Sequence, residues 1–196
     1  MADIIIDGTS VISKSGSTIT IKNATLDSTV TGGSGITSPF QYYCQLQSQE
    51  TLVIGSSDTL ITNWEEPTIN SNIGTAVTED SSDSGIFQFP ATGKWWVEFR
   101  PTFYLNDDAR WIQSFIYKVI SGTSTALIRS FTQISRADSD NTYTSDTMGV
   151  IFDCTNTTTD KLKFTFKRTG SGTMYCQGST GNTMETNAFF YRIGNT

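Results

Sequence analysis

Glu65-Glu66 and Asp107-Asp108 set carboxyls side by side, the raw material of general acid–base chemistry. Neighbours on a strand point to opposite faces and neighbours in a loop face water, so neither pair reads as the facing dyad that cleaves a glycosidic bond. Asp138-Ser139-Asp140-Asn141, with Asp146 following, offers oxygen ligands at alternate positions, the kind of spacing a Ca²⁺ loop uses. The stretch lacks the glycine and the distal glutamate of an EF-hand, and turn-forming Asp and Asn account for the same residues. Asp138, Asp140 and Asp146 are thus a Ca²⁺ candidate beside a simpler turn reading, and no other metal or cofactor is expected. Cys44, Cys154 and Cys176 lack metal-site spacing, cannot all pair within one chain, and read as thiols packed in the core.

The sequence contains no histidine, which removes the usual general base and with it any Ser/His/Asp or Cys/His/Asn machinery. Catalysis is therefore not expected. The aromatic residues offer a different chemistry, because a ring face presents apolar area to a sugar. Trp95, Trp96 and Trp111 could form such a stacking surface. Adjacent Trp95 and Trp96 must face opposite ways on a strand, so one enters the core and the other meets a subunit interface or a ligand. Trp111 is kept as a ligand-contact candidate.

The elements that must position these residues are strands. Of 196 residues, 32 are Thr and 23 are Ser, while charged residues make up only 16%. That composition, with its Gly, Phe and Tyr, suits half-buried strands joined by turns and does not suit a helical bundle. The net charge of −6 repels a phosphate backbone on average, so nucleic acid is not an expected partner. No run approaches a membrane span, and the first residues carry neither a basic region nor a long apolar one, which predicts synthesis in a reducing compartment.

Residues 1–35 and 36–196 differ in kind. The first segment holds isolated apolar residues, Ile4, Ile5, Ile6, Ile19, Ile21, Leu26 and Val30, in a polar background without any aromatic residue. Such a segment buries too little to offset roughly 1–2 kcal/mol of backbone entropy per residue, and is expected to pair with something else. It ends in the flexible Thr31-Gly32-Gly33-Ser34-Gly35. The second segment reads as a run of strands at 40–47, 51–54, 59–62, 86–89, 94–105, 110–120, 125–134, 147–154, 161–168, 173–177 and 187–193, with turn signals between them such as Ser121-Gly122-Thr123. Lys161-Leu162-Lys163-Phe164-Thr165-Phe166-Lys167 alternates, with Leu162, Phe164 and Phe166 on one face. The expected fold is all-β: an antiparallel jelly-roll sandwich of about ten strands preceded by an extended N-terminal arm.

Residues 84–99, Ser-Gly-Ile-Phe-Gln-Phe-Pro-Ala-Thr-Gly-Lys-Trp-Trp-Val-Glu-Phe, carry a family resemblance. Gly85, Phe87, Pro90, Gly93, Trp95 and Val97 fill a Gly-x-Phe-x-x-Pro-x-x-Gly-x-Tyr-x-Phe-like run, so this stretch resembles the signature of the complement globular head and its tumour-necrosis-factor relatives. Asp160-Lys161-Leu162 and the closing Ala188-Phe189-Phe190-Tyr191-Arg192-Ile193 fit the same pattern, and the resemblance covers about residues 40–196. It implies a ten-strand jelly roll that assembles as a compact trimer. Phe87, Phe89, Trp95, Trp96, Phe99, Phe189 and Tyr191 would then supply the core and the trimer contacts. The segment before it is not a Gly-x-y collagen stalk. Its low-complexity run, Thr25-Leu26-Asp27-Ser28-Thr29-Val30, with the Gly/Ser hinge, is similar to N-terminal pieces of tailed-bacteriophage virion proteins.

Together these features lead to an expected function: a non-catalytic trimeric virion structural protein, assembled in the host cytoplasm and displayed on the virion surface. Its arm would fasten to a capsid or other virion protein, as a decoration or cement protein does. The alternative is a receptor-binding tail-fibre or adhesin head that recognises a host-surface glycan or protein. No membrane partner is expected in either case.

Overall fold

The computed structural model describes residues 42–68, 72–105, 107–135, 140–169, 173–180 and 184–196, and, by backbone alone, 4–6, 9–15, 18–21 and 109–110. The chain divides into two compact units, Met1–Pro39 and Phe40–Thr196. In the first, β1 (Ile4–Ile6), β2 (Thr9–Ser15) and β3 (Thr18–Ile21) form a three-stranded antiparallel sheet, with Ile12 opposite both Ile4 and Ile21. The sequence predicts no strand over 9–15. Instead the Ser-, Thr- and Val-bearing β2 lies between the two isoleucine segments and pairs with both. Leu26, Val30 and the Gly/Ser hinge lie outside the described residues.

The second unit runs β4 (Tyr43–Ser48), β5 (Leu52–Ile54), β6 (Thr59–Leu60), β7 (Trp64–Glu65), β8 (Thr78–Asp80), β9 (Asp83–Gln88), β10 (Gly93–Arg100), β11 (Thr102–Leu105), β12 (Ala109–Ile120), β13 (Thr123–Ile134), β14 (Thr142–Ser145), β15 (Met148–Cys154), β16 (Asp160–Thr169), β17 (Met174–Cys176) and β18 (Asn187–Gly194). Every pairing is antiparallel. The sheets are β15-β10-β18-β4-β7, β14-β11-β17-β5 and β13-β12-β16-β9-β8, with β6 also on β16. Among the described residues there is no helix, and so none long and apolar enough to cross a membrane.

Period-two alternation builds the core. Trp95, Val97 and Phe99 of β10 point inward, as do Leu162, Phe164 and Phe166 of β16. Phe99 stacks on Phe164 at 4.6 Å between ring centres and Phe87 of β9 meets Phe190 of β18 at 5.3 Å, so these contacts join the five- and six-stranded sheets. Trp64 fits edge-on to Phe87 at 5.3 Å and donates its Nε1–H to the Ile61 carbonyl. A buried indole N–H needs such an acceptor.

The glycines of the 84–99 stretch are held by close approach. Gly85 has φ +82°, and a Cβ there would lie 2.5 Å from the Ile61 carbonyl oxygen. Gly93 has φ +142°, and a Cβ would meet the Gly194 carbonyl oxygen at 2.6 Å.

The structure corrects two strand assignments. The continuous strand expected over 94–105 breaks at Pro101, which has no N–H to give a ladder, and the chain passes from β10 in one sheet to β11 in another. Thr102 N–H then bonds the Thr186 hydroxyl, which holds the departure. Residues 142–145, expected to be loop, are β14, paired along its length with β11. Thr142-Tyr143-Thr144-Ser145 has strand propensity but no inward apolar residue to announce it.

Candidate functional site

In β10, the residues pointing away from the core are Lys94, Trp96, Glu98 and Arg100. Register then aligns the outer residues of neighbouring strands into rows. One row runs Tyr43, Tyr191, Trp96, Ile151 across β4, β18, β10 and β15, and the next runs Gln45, Phe189, Glu98, Gly149. Gln47, Asn187 and Arg100 form a third.

These rows make a continuous aromatic surface. Tyr43 and Tyr191 lie 5.0 Å apart, Phe189 and Tyr191 stack at 6.3 Å with planes 15° apart, and the Arg100 guanidinium sits 4.6 Å over the Phe189 ring. Glu98 holds Arg100 in place by an ion pair at 2.5 Å. The Trp96 indole lies flat across Gly149: a Cβ at that glycine would meet the ring at 2.3 Å. Burial, then the neighbouring phenol and thiol, raises the Tyr43 pKa, and burial followed by Glu98 raises that of Tyr191, so both phenols stay neutral near pH 7.

The far side of this sheet is already committed to the core, so the strands carry large rings on both faces, interspersed on the outer one with charged and amide side chains. In the protomer Trp96 is 36% and Ile151 55% exposed. Such a contiguous patch marks an interaction surface, because covering it returns about 25 cal/mol per Å². The polar end of the sheet differs. Gln45, Gln47 and Asn187 are buried; Gln45 bonds the Met184 sulfur, Gln47 bonds Glu65 at 3.2 Å, and Asn187 gives its Nδ2–H to the Met184 carbonyl.

The residues picked from sequence as core or trimer contacts separate by strand parity. Phe87, Phe89, Trp95 and Phe99 are core residues, while Trp96, Phe189 and Tyr191 meet on the outer face. Trp111 lies elsewhere, half-buried on the outer side of β12, with its ring 6.2 Å from that of Phe131. Phe131, 54% exposed, was missed by sequence reasoning. The Ser121-Gly122 turn alone does not give this position, because an irregularity between Ile116 and Tyr117 shifts the β12–β13 register by one residue before Phe131 comes opposite Gln113. A second missed feature is the row Tyr143, Tyr104, Tyr175, with ring centres 5.3 and 4.9 Å apart. The rings pack in sequence across the strands, which stabilises the sheet, while Tyr143 at the end of the row is 58% exposed.

The remaining candidates stay apart. Of the Ca²⁺ set, Asp138 lies outside the described residues and Asp140 is exposed. Asp146 Oδ1 accepts from the Ser130 hydroxyl and the Thr147 N–H, at 2.9 and 2.8 Å. Among the described residues no three Cys, Asp or Glu gather as a metal site. Ile4, Ile5, Ile6, Ile19 and Ile21 fall in strands described by backbone pairing only. Glu65 is engaged by Gln47, and Asp107 Oδ1 accepts the Asp108 N–H at 2.8 Å. All three cysteines are free and buried; burial pushes Cys44 and Cys176 up to about 12 and Cys154 up to about 11.

Solved structures share this fold. Murine APRIL at pH 8.5 is 15% identical with a TM-score of 0.52, and murine APRIL at pH 8.0 and at pH 5.0 is 14% identical with a TM-score of 0.53. Each match covers 77% of this chain and 98% of the other. No family model matches the sequence, and no curated protein is significantly similar to it. The likeness is one of fold: the chain contains a jelly roll of the tumour-necrosis-factor type.

Proposed function

We propose that this chain is a non-catalytic structural protein that works as a homotrimer, with the jelly-roll unit as its head and residues 1–35 as an attachment arm. The observation that carries the proposal is the aromatic outer face of β4, β18, β10 and β15, where half-buried Tyr43, Tyr191 and Phe189 join exposed Trp96 and Ile151 in one surface. A neighbouring copy covers it in this reading, in line with the trimer that the family resemblance implies.

The assembly to which the arm ties the trimer is, in this proposal, a bacteriophage capsid. Supporting this finer reading are the similarity of the arm to phage virion segments, the three free thiols, the high Thr and Ser content and the acidic balance. Three arms acting together would give firm attachment from individually weak contacts.

Sedimentation tests the assembly. The chain should run at three times its 21.5 kDa mass, and Phe189→Arg, which sets a charge in the covered face, should yield folded protomers. A wild-type monomer with the face open would refute the trimer. Gold-labelled antibody against the head, applied to particles from the source lysate, tests the location: a regular pattern over the capsid is expected, and absence from particles refutes the virion reading.

A further inference from the structure

Charge is distributed unevenly over this molecule. The strands β12, β13 and β16 contain Arg110, Lys118, Arg129, Lys161, Lys163, Lys167 and Arg168, seven of the chain's 13 cationic residues, but of its 19 acids only Asp160. Asp160 is engaged within its own turn by the Thr155 N–H and hydroxyl, the Asn156 N–H and the Thr159 hydroxyl, at 2.7 to 2.9 Å. A chain of net charge −6 thus has three adjacent basic strands, while β8 and β9 of the same sheet bring Glu79, Asp80 and Asp83.

Register places the basic residues along a line of rings. The outer face of β12 presents Trp111, Gln113, Phe115, Tyr117 and Val119. On one side β16 sets Lys167, Lys163 and Lys161 opposite Gln113, Tyr117 and Val119; on the other, β13 sets Phe131 and Arg129 opposite Gln113 and Phe115. Cations and rings are in contact: Arg129 lies 5.2 Å over Phe131, Lys167 5.1 Å over Phe115 and Lys163 5.5 Å over Tyr117. At about 3.3 Å per residue, Trp111 to Val119 spans roughly 26 Å. The Val119 end opens into a cleft of about 340 Å³ that Lys161, Lys163, Ser121, Ser124 and the carboxylate of Asp83 help to line.

Two cations of this face rest on rings without a carboxylate partner among the described residues. Lys161 pairs with Asp80 and Lys167 with Asp58, whereas Arg129 and Lys163 make no ion pair among the described residues. Phe131 is the most open ring of the track. Exposed Phe131 and Arg129, with half-buried Trp111 and Lys163, complement a chain of flat-faced sugar rings that bear carboxylates, while Gln113, Phe115 and Val119 of the same face are buried.

We propose that the outer face of β12, β13 and β16 binds an acidic polysaccharide of uronic-acid units, with sugar rings against Phe131 and Trp111 and carboxylates on Arg129 and Lys163. This site is separate from the aromatic face of the five-stranded sheet and does not depend on the trimer reading. Single-stranded nucleic acid is the competing ligand for rings and cations, but the acidic remainder of the molecule opposes it.

The test uses the full chain and immobilised polygalacturonate. Three probes are compared: polygalacturonate, its fully methyl-esterified form, and oligo(dT). Polygalacturonate is expected to bind, more weakly as salt rises, and the neutral ester at least tenfold worse. Phe131→Ala and the Arg129→Gln/Lys163→Gln pair should each lower affinity about tenfold or more, with sedimentation and circular dichroism unchanged because all three residues lie at the surface. Equal binding of the ester, preference for oligo(dT), no binding of polygalacturonate, or variants that bind as wild type would each overturn the proposal.

Discussion

Asp80 and Lys161 are 81 residues apart in sequence and form an ion pair between β8 and β16. The Lys161 ammonium first, and then the Ser82 hydroxyl and N–H, hold the Asp80 carboxyl well below the usual carboxylate range. A carboxyl with a depressed folded pKa favours the native state above its unfolded pKa, about 3.9, and that contribution fades as pH falls through the folded value. Asp80→Asn should therefore be less stable than wild type at pH 7, and the gap should close progressively below about pH 4. Urea melts of both proteins across that range check this; a gap that widens in acid would contradict the assigned cause. The thiols allow a second test. With pKa values of about 12, 11 and 12 for Cys44, Cys154 and Cys176, almost no thiolate exists at pH 8, and each sulfur is buried. Native protein should react with an aromatic disulfide reagent at least a hundredfold more slowly than protein in denaturant, and a fast native phase would show one thiol to be accessible.

At the scale of elements, β15 and β10 are linked by an unusual pair. Gly149 stands beside Glu98 in register, yet its missing side chain is occupied by the Trp96 indole. A methyl group there would overlap the ring, so Gly149→Ala must rotate Trp96 off the sheet. The atoms met are the far end of a side chain that is 36% exposed, so the cost to the protomer is about 0.5 kcal/mol. The ring also sits in the proposed interface, so Gly149→Ala should weaken trimer association tenfold or more by sedimentation. The double variant Gly149→Ala/Trp96→Ala separates the two effects. Stability lost through the clash should return in the double variant, and trimer affinity should not.

For the whole molecule, the division at Pro39 and Phe40 suggests separable tasks. Deleting residues 1–30 should leave a folded head with the sedimentation coefficient of a trimer that no longer pellets with source particles. If the head instead unfolds or runs as a monomer, the arm belongs to the assembly core and the attachment role fails. The basic track adds a further whole-molecule property: the face that binds polygalacturonate and the face that binds another protomer lie on different sheets, so Phe131→Ala should leave the trimer intact.

The amino-acid sequence alone determined what depends on neighbours along the chain. Alternation in 161–167 settled that Leu162, Phe164 and Phe166 turn inward and the lysines outward, and parity alone sent Trp95 and Trp96 to opposite faces. The run with Gly85, Pro90 and Gly93 suggested the jelly roll through its family resemblance, whereas the close approaches of Ile61 and Gly194 that hold the two glycines are tertiary. Only the tertiary structure decided which distant residues share a surface. Trp96 lies on Gly149, Phe189 stacks beside Tyr191 in reach of Arg100, and Arg129 and Lys167 flank Phe115 because three strands from separate parts of the chain align in one register. The same dependence hid β14, whose four residues bury no large side chain, and concealed the break at Pro101, where the chain leaves one sheet for another. Period fixes the direction a side chain takes from its own strand; what it meets there is fixed by pairings between strands dozens of residues apart, which no local pattern encodes.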